Sequence, residues 1–371
     1  MNSRCSRMNK IIHVLPLILV LAACSSYTNS TELPSLIDNS PTYDAITVTP
    51  TEAVNPAASP LEVVVREIIL PVPYDDARME FSGLAWLEDT LVLLPQYPRR
   101  LGQGGSAYLV TIQKEDILAY LSNVTQEPIE IGLLAFDDGG LSDTLEGFEG
   151  FEAIAFSGEQ VFMTIETSGG SPMMGYLVSG AVDYEHQAIR LDAGTIVPLV
   201  PQTEFRNASD EALVIENSAI YTFFEDNGSG VNPKSYAHAF DLTLGLKPQA
   251  DFPAIEFRVT DATEALADGS FWVMNYFYPG DAHLQADEDP IAERFGEGRT
   301  HMRSERVERI IRLQIENGSI RLAYETPLYL ELTEDGRSRN WEGLVRLDEL
   351  GFLAVTDSFP ATILGFIPDL R

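Results

Sequence analysis

Short apolar or alternating runs recur along the chain between turn signals, at 89–95, 160–165, 219–224, 270–275 and 351–356. Runs of this kind predict strands, and many of them with few helical patterns predict an all-β protein. The best helical pattern is Lys114–Ser122, and it is short. Asn317-Gly318 falls between the runs 309–315 and 319–324, which predicts a hairpin on a type I′ turn.

Five segments can be laid over one another. They begin Ser82-Gly83-Leu84-Ala85, Glu152-Ala153-Ile154-Ala155, Glu211-Ala212-Leu213-Val214, Asp261-Ala262 and Glu342-Gly343-Leu344-Val345. A second strand follows each, at Leu91-Val92-Leu93-Leu94, Val161-Phe162-Met163-Thr164, Ile220-Tyr221-Thr222-Phe223, Phe271-Trp272-Val273-Met274 and Phe352-Leu353-Ala354-Val355. The fourth segment matches least well, because its first strand lacks the small-then-apolar signature. Repeats of this length predict a single β-propeller of five four-stranded blades, with six left open by the uneven spacing. Residues 61–70 are expected to supply the strand that the last blade lacks, closing the ring without a free edge.

The N-terminus reads differently. Arg4, Arg7 and Lys10 precede an apolar run that ends in Leu21-Ala22-Ala23-Cys24. A basic region, a short apolar stretch and small residues before a cleavage point define a secretory signal over residues 1–23. Leu-Ala-Ala-Cys also matches the lipobox, which makes Cys24 the expected lipidation site. Residues 24–60 then form a tether. Ser, Thr and Pro fill 17 of the 36 positions after Cys24, with four acids and no base. Such a segment buries too little apolar surface to fold, and as a flexible chain it spans roughly 30–36 Å. The expected location is the cell envelope, lipid-anchored: the outer membrane of a two-membrane cell, otherwise the outer face of the plasma membrane. Residues 61–371 form the propeller domain.

Charge narrows the partners. The 24 Lys and Arg against 56 Asp and Glu leave −32, and loss of three basic residues with the signal would make it −35. Nucleic acid is excluded as a partner on this balance, and cations are favoured. Cys5 and Cys24 are the two cysteines, so the expected mature chain has no disulfide.

Equivalent positions in a propeller lie on a ring around the channel. The residues before the small-apolar pair are Ser82, Glu152, Glu211, Asp261 and Glu342; those ending the next strand are Gln96, Glu166, Glu225, Asn275 and Asp357. Two carboxylates about 5 Å apart repel by roughly 3 kcal/mol at an effective dielectric near 20. A crowded acidic ring therefore needs a cation or hydrogen-bond donors. Oxygen ligands suit Ca²⁺, with Mg²⁺ or Mn²⁺ as alternatives. The expected metal ligands are Glu152, Glu211, Glu342, Glu166, Asn275 and Asp357. The competing reading is that these acids bond backbone amides and pin blade to blade. Arg99 and Arg100 follow the first repeat's second strand and are expected to bind ligand at the same mouth. Arg303, Arg306 and Arg309 close a long insertion, 278–303, which is expected to lie over the channel.

Phe81-Ser82-Gly83-Leu84-Ala85-Trp86, Gly150-Phe151-Glu152-Ala153-Ile154-Ala155 and Asn340-Trp341-Glu342-Gly343-Leu344 resemble the Glu-Gly-apolar blade motifs of the phytase-like ("esterase-like activity of phytase") propeller family. Asp357-Ser358-Phe359-Pro360 is similar too. The resemblance implies a channel Ca²⁺ and a metal-dependent hydrolase of an ester, lactone or phosphoester. The basic cluster that inositol phosphates would need is missing. The alternative is a non-catalytic lipoprotein that captures a small-molecule or envelope ligand at the channel mouth, its acidic ring being structural.

Overall fold

The structure, a computed structural model, describes residues 60–371 except 124–126, 169–172, 206–207, 287 and 336. The signal segment, Cys24 and the tether up to residue 59 lie outside the described residues.

Two short strands open the described chain, β1 (Glu62–Val63) and β2 (Arg66–Ile68). The first repeat segment forms β3 (Phe81–Leu87), β4 (Thr90–Pro95), β5 (Ala107–Gln113), helix α1 (Lys114–Ser122) and β6 (Gly132–Asp137). The second contains α2 (Leu141–Thr144), β7 (Phe148–Ser157), β8 (Gln160–Thr167), β9 (Met174–Asp183), β10 (Ala188–Leu191) and β11 (Val197–Leu199). The third gives β12 (Asp210–Glu216), β13 (Ala219–Phe224), β14 (Tyr236–Asp241) and β15 (Ala250–Asp251). In the fourth, β16 (Arg258–Ala262) and β17 (Ser270–Tyr276) are separated by an insertion carrying α3 (Pro290–Phe295) from β18 (Glu308–Glu316), β19 (Ser319–Leu322) and β20 (Leu328–Leu330). The chain ends in β21 (Trp341–Leu347), β22 (Gly351–Thr356) and β23 (Leu364–Pro368).

Each segment folds as an antiparallel meander, as the alternating runs require. The inner strands β3, β7, β12, β16 and β21 pack each on the next, and β21 packs back on β3. That closed circuit is a β-propeller-like arrangement. Hydrophobic clusters fill the gaps between neighbouring segments. Leu94, Phe136, Phe151 and Met163 lie between the first and second, and Phe223, Phe252, Phe271 and Ile311 between the third and fourth. Fully burying one such side chain contributes roughly 1.5–3 kcal/mol, so the ring is held by these wedges in the absence of disulfides.

Two details differ from the expected topology. The segment 61–70 is divided between two sheets: β2 pairs antiparallel with β23, while β1 pairs parallel with β20 of the preceding segment. One N-terminal stretch thus ties two sheets together. The first two segments are also joined, because β6 and β10 pair in parallel at their outer edges and make one nine-stranded sheet. The Asn317-Gly318 hairpin forms between β18 and β19, with both residues at positive φ (53° and 76°) as a type I′ turn demands.

Candidate functional site

The feature that builds the site is a β-bulge repeated in every inner strand. Phe81 pairs with Pro95 but Gly83 with Leu94, which leaves Ser82 without a cross-strand partner. The same irregularity falls at Glu152 and Ala153, at Glu211, at Thr260 and Asp261, and at Glu342. A bulge re-aims the side chain it carries and sharpens the local twist. Here it turns Glu152, Glu211 and Glu342 into one cavity of about 510 Å³ at the channel mouth.

The register corrects the fourth repeat by one residue. Val259 pairs with Asn275 and Ala262 with Val273, so Thr260 is the counterpart of Ser82 and Glu152. The two hydroxyls do equivalent work: Ser82 Oγ donates to the Phe151 carbonyl and Thr260 Oγ1 to the Trp341 carbonyl, each at 2.6 Å. Each pins its inner strand to the next. Asp261 instead takes the place held elsewhere by Gly83, Ala153, Ala212 and Gly343. That place is cramped; a Cβ on Gly343 would lie 2.7 Å from Leu84 Cγ and from Val355 Cγ1. The Asp261 carboxylate fills it and accepts from the amides of Leu344 (2.7 Å), Ala262 (2.8 Å) and Leu84 (3.3 Å). It is a staple between inner strands and does not line the cavity.

The second ring shifts with it. By register, the residues equivalent to Gln96, Glu166, Glu225 and Asp357 include Tyr276, where Asn275 was expected. A slip of one residue sends a strand side chain to the opposite face. Asn275 accordingly donates to the carbonyls of Glu256 (3.0 Å) and Arg258 (2.9 Å) and accepts from Arg309 Nε (2.8 Å). Its amide is committed to the fold, and it does not line the cavity. Tyr276 lines the cavity and donates to Glu342 Oε1 at 3.1 Å. The sequence contained this register: the position lies five residues after the first of the four aligned apolar residues in every segment, from Leu91 and Gln96 to Phe271 and Tyr276.

Of the expected site residues, Glu152, Glu166, Glu211, Glu342, Asp357 and Arg100 line the cavity. Arg99 turns away and grips Asp143 with both terminal nitrogens, at 2.7 and 2.9 Å. Arg100 stays at the rim, paired with Glu80 and stacked over Tyr97. Arg309 is fully buried against Asp289 and Asn275 and presents nothing to a ligand. The insertion nonetheless reaches the site at its start, where Tyr278 lines the cavity.

Arg258, the first residue of β16, was not anticipated. Its Nη1 lies 2.7 Å from Glu225 Oε2, its Nε donates to Asp281 at 2.6 Å, and the guanidinium sits 4.7 Å from the centre of the Tyr278 ring. It lines the cavity beside Glu211 and Glu166. One guanidinium cannot neutralise this many acids. Glu166 Oε1, Glu211 Oε2 and Glu225 Oε1 are buried without a hydrogen-bond donor, and Glu225 Oε2 has the Arg258 ion pair alone. Burial, and then the neighbouring carboxylate, holds Glu152 (beside Glu166), Glu211 (beside Glu342) and Glu342 (beside Asp357) well above the usual range. Burial pushes Glu166 up to about 7.

These orphaned oxygens fit a hard cation, and the donor set is all oxygen. Among the described residues, though, no group of three or more Asp, Glu, His or Cys side chains is gathered tightly enough to hold a metal ion by itself.

No family model matches the chain, and no curated protein matches it. Distant likenesses exist among solved structures. A bifunctional GH43-CE protein of Bacteroides eggerthii is 10% identical with a TM-score of 0.44, over 82% of this chain and 35% of that one. The chain therefore spans about a third of that protein's length. The catalytic domain of a Coprinopsis cinerea GH62 α-L-arabinofuranosidase is 8% identical with a TM-score of 0.43, covering 83% and 97% of the two chains. A glycoside hydrolase-like protein of Bacteroides ovatus is 10% identical with a TM-score of 0.42, covering 85% and 94%.

Proposed function

We propose that this chain is an extracytoplasmic lipoprotein, anchored through Cys24, whose body is a five-bladed propeller with a Ca²⁺-binding acidic cavity that hydrolyses an ester, lactone or phosphoester. The observation that carries the reading is one cavity lined by Glu152, Glu211 and Glu342 from the bulges and by Glu166 and Asp357 from the neighbouring strands, with the buried Glu166 Oε1 and Glu211 Oε2 left without donors. The blade count rests on the closed circuit of five inner strands. The phytase-like resemblance of the motifs around Glu152 and Glu342 supplies the reaction class.

Glu152, Glu166, Glu211, Glu342 and Asp357 are the residues that would hold the ion. Bound there, Ca²⁺ would polarise the oxygen of a scissile carbonyl or phosphoryl group. The protein's own part is proton handling and orientation. A ring carboxylate not engaged by the ion would take a proton from water and return it. Tyr276 holds Glu342 in place through its hydroxyl, while Tyr97 and Arg100 form the rim against which a substrate would rest.

The test is metal analysis and calcium titration of the mature chain in detergent, followed by a panel of ester, lactone and phosphoester substrates. Stoichiometric calcium, a raised melting temperature and turnover lost in Glu166→Gln are expected. Absence of bound calcium and of any effect on melting overturns the metal reading. A second reading, a ligand-capturing protein without chemistry, is favoured by the loose spacing of the carboxylates and by Arg258 as a built-in counter-charge. Calcium binding with no turnover across the panel selects it.

A further inference from the structure

We propose that the cavity at the channel mouth takes a linear polyamine, its separate ammonium groups shared among carboxylates of different repeat segments. The proposal rests on the cavity being the binding site and not on calcium, and it names the chemical class of a ligand.

Seven carboxylates and two guanidinium groups line the cavity. Arg100 is paired with Glu80, while Arg258 is paired with Glu225 and Asp281, neither of which lines it. Among the described residues, then, six of the seven lining acids have no ion pair. Glu166 is 7% exposed and lines the cavity with Oε1 lacking any hydrogen-bond donor. Glu211 Oε2, also on the lining, is buried in the same condition. Burial and then the neighbouring carboxylate raise Glu152, Glu211 and Glu342, so a positive group placed among them favours their ionised forms.

The spacing of these acids selects the kind of cation. Glu152 and Glu166 come from β7 and β8, Glu211 from β12 and Glu342 from β21. No three acidic side chains among the described residues are gathered closely enough for one metal ion. A calcium ion needs its oxygens around a single point, at about 2.3–2.6 Å. An ammonium group instead donates three hydrogen bonds to whichever oxygens face it. A chain carrying two or three such groups reaches separate carboxylates without drawing them together. The methylenes between them need apolar walls, and Tyr97, Tyr276 and Tyr278 line the cavity. Tyr97 and Tyr278 each already hold a guanidinium against the ring, 4.0 and 4.7 Å from its centre, so these walls accept cations face-on. The volume, about 510 Å³, is that of a small-molecule pocket.

Calorimetric titration of the mature wild type in detergent with spermidine and 1,4-diaminobutane tests this, with 1,4-butanediol and CaCl₂ titrated in parallel. One spermidine per chain is expected, with the diol silent. Glu166→Gln and Glu211→Gln should each weaken spermidine binding about tenfold or more, because each loses a charge-assisted hydrogen bond. Many weak spermidine sites, equal in wild type and folded variants, mean attraction to the acidic surface alone and overturn the proposal. Binding of the diol as tight as that of the diamine overturns it too. Calcium binding without amine binding overturns it and leaves the metal reading standing. Amine binding without calcium binding supports it and overturns the metal reading, and binding of neither overturns both. If the variants do not fold, cross-linking of the wild type by an azide-bearing spermidine decides. Labelling confined to Tyr97, Tyr276, Tyr278 and their neighbours supports the proposal, and labelling spread over the outer surface overturns it.

Discussion

Replacing Glu166 by Gln removes one buried titrating group while keeping its shape. In the folded chain burial pushes this carboxyl from 4.5 up to about 7. The folded state therefore holds the proton more tightly than the unfolded chain does. The stabilisation that follows is fully present below the unfolded value, near 4.5, and is lost as pH rises through about 7. At roughly 1.4 kcal/mol per pH unit, the interval is worth about 3 kcal/mol between pH 4 and pH 8. Glu166 is 7% exposed, so solvent screening reduces this little. Glutamine stays neutral throughout. Glu166→Gln is thus expected to match wild type at pH 4 and to exceed it by about 3 kcal/mol at pH 8. Urea unfolding of both proteins in chelator, at half-unit steps of pH, measures the difference directly. Curves that remain superposed at pH 8 would refute the reasoning, as would a variant less stable there than wild type.

Asp261→Ala strips the acceptor from three buried amides, each costing about 1–3 kcal/mol to leave unpaired, and should lower stability by at least about 3 kcal/mol in the same assay. Gly343→Ala should cost about 1–3 kcal/mol and lower the melting temperature, because the new methyl meets Leu84, Val355 and the backbone of Gly83 where inner strands crowd the axis. Deleting residues 60–70 takes β1 and β2 from two sheets and exposes the edges of β20 and β23. The expected result is a protein that binds a hydrophobic dye and aggregates; a cooperative, monomeric melt would contradict the closure.

The strands, the one nine-residue helix and the Asn-Gly hairpin were legible in the sequence because each depends on local pattern. Alternation sets strand faces, and a type I′ turn needs two residues that tolerate positive φ. The acidic ring was legible for the same reason, since Glu152, Glu211 and Glu342 each precede a small residue and a buried apolar one. The fourth repeat was not, because its signature is broken where Asp261 replaces the small residue. Without that anchor the alignment slid by one, and a one-residue slip exchanges inward and outward faces. Asn275 and Asp261 were therefore expected in positions that Tyr276 and Thr260 hold.

What the sequence by itself determined was the strand content, the repeat and the supply of buried acids. Tertiary structure alone decided which charges meet. Arg258 is the first residue of an ordinary strand, and nothing local marks it. It becomes central because ring closure brings β16 beside Glu211, and because the insertion returns Asp281 to its guanidinium. Contacts between residues far apart in the chain are set by how the sheets pack around the axis, and no short-range pattern carries that information.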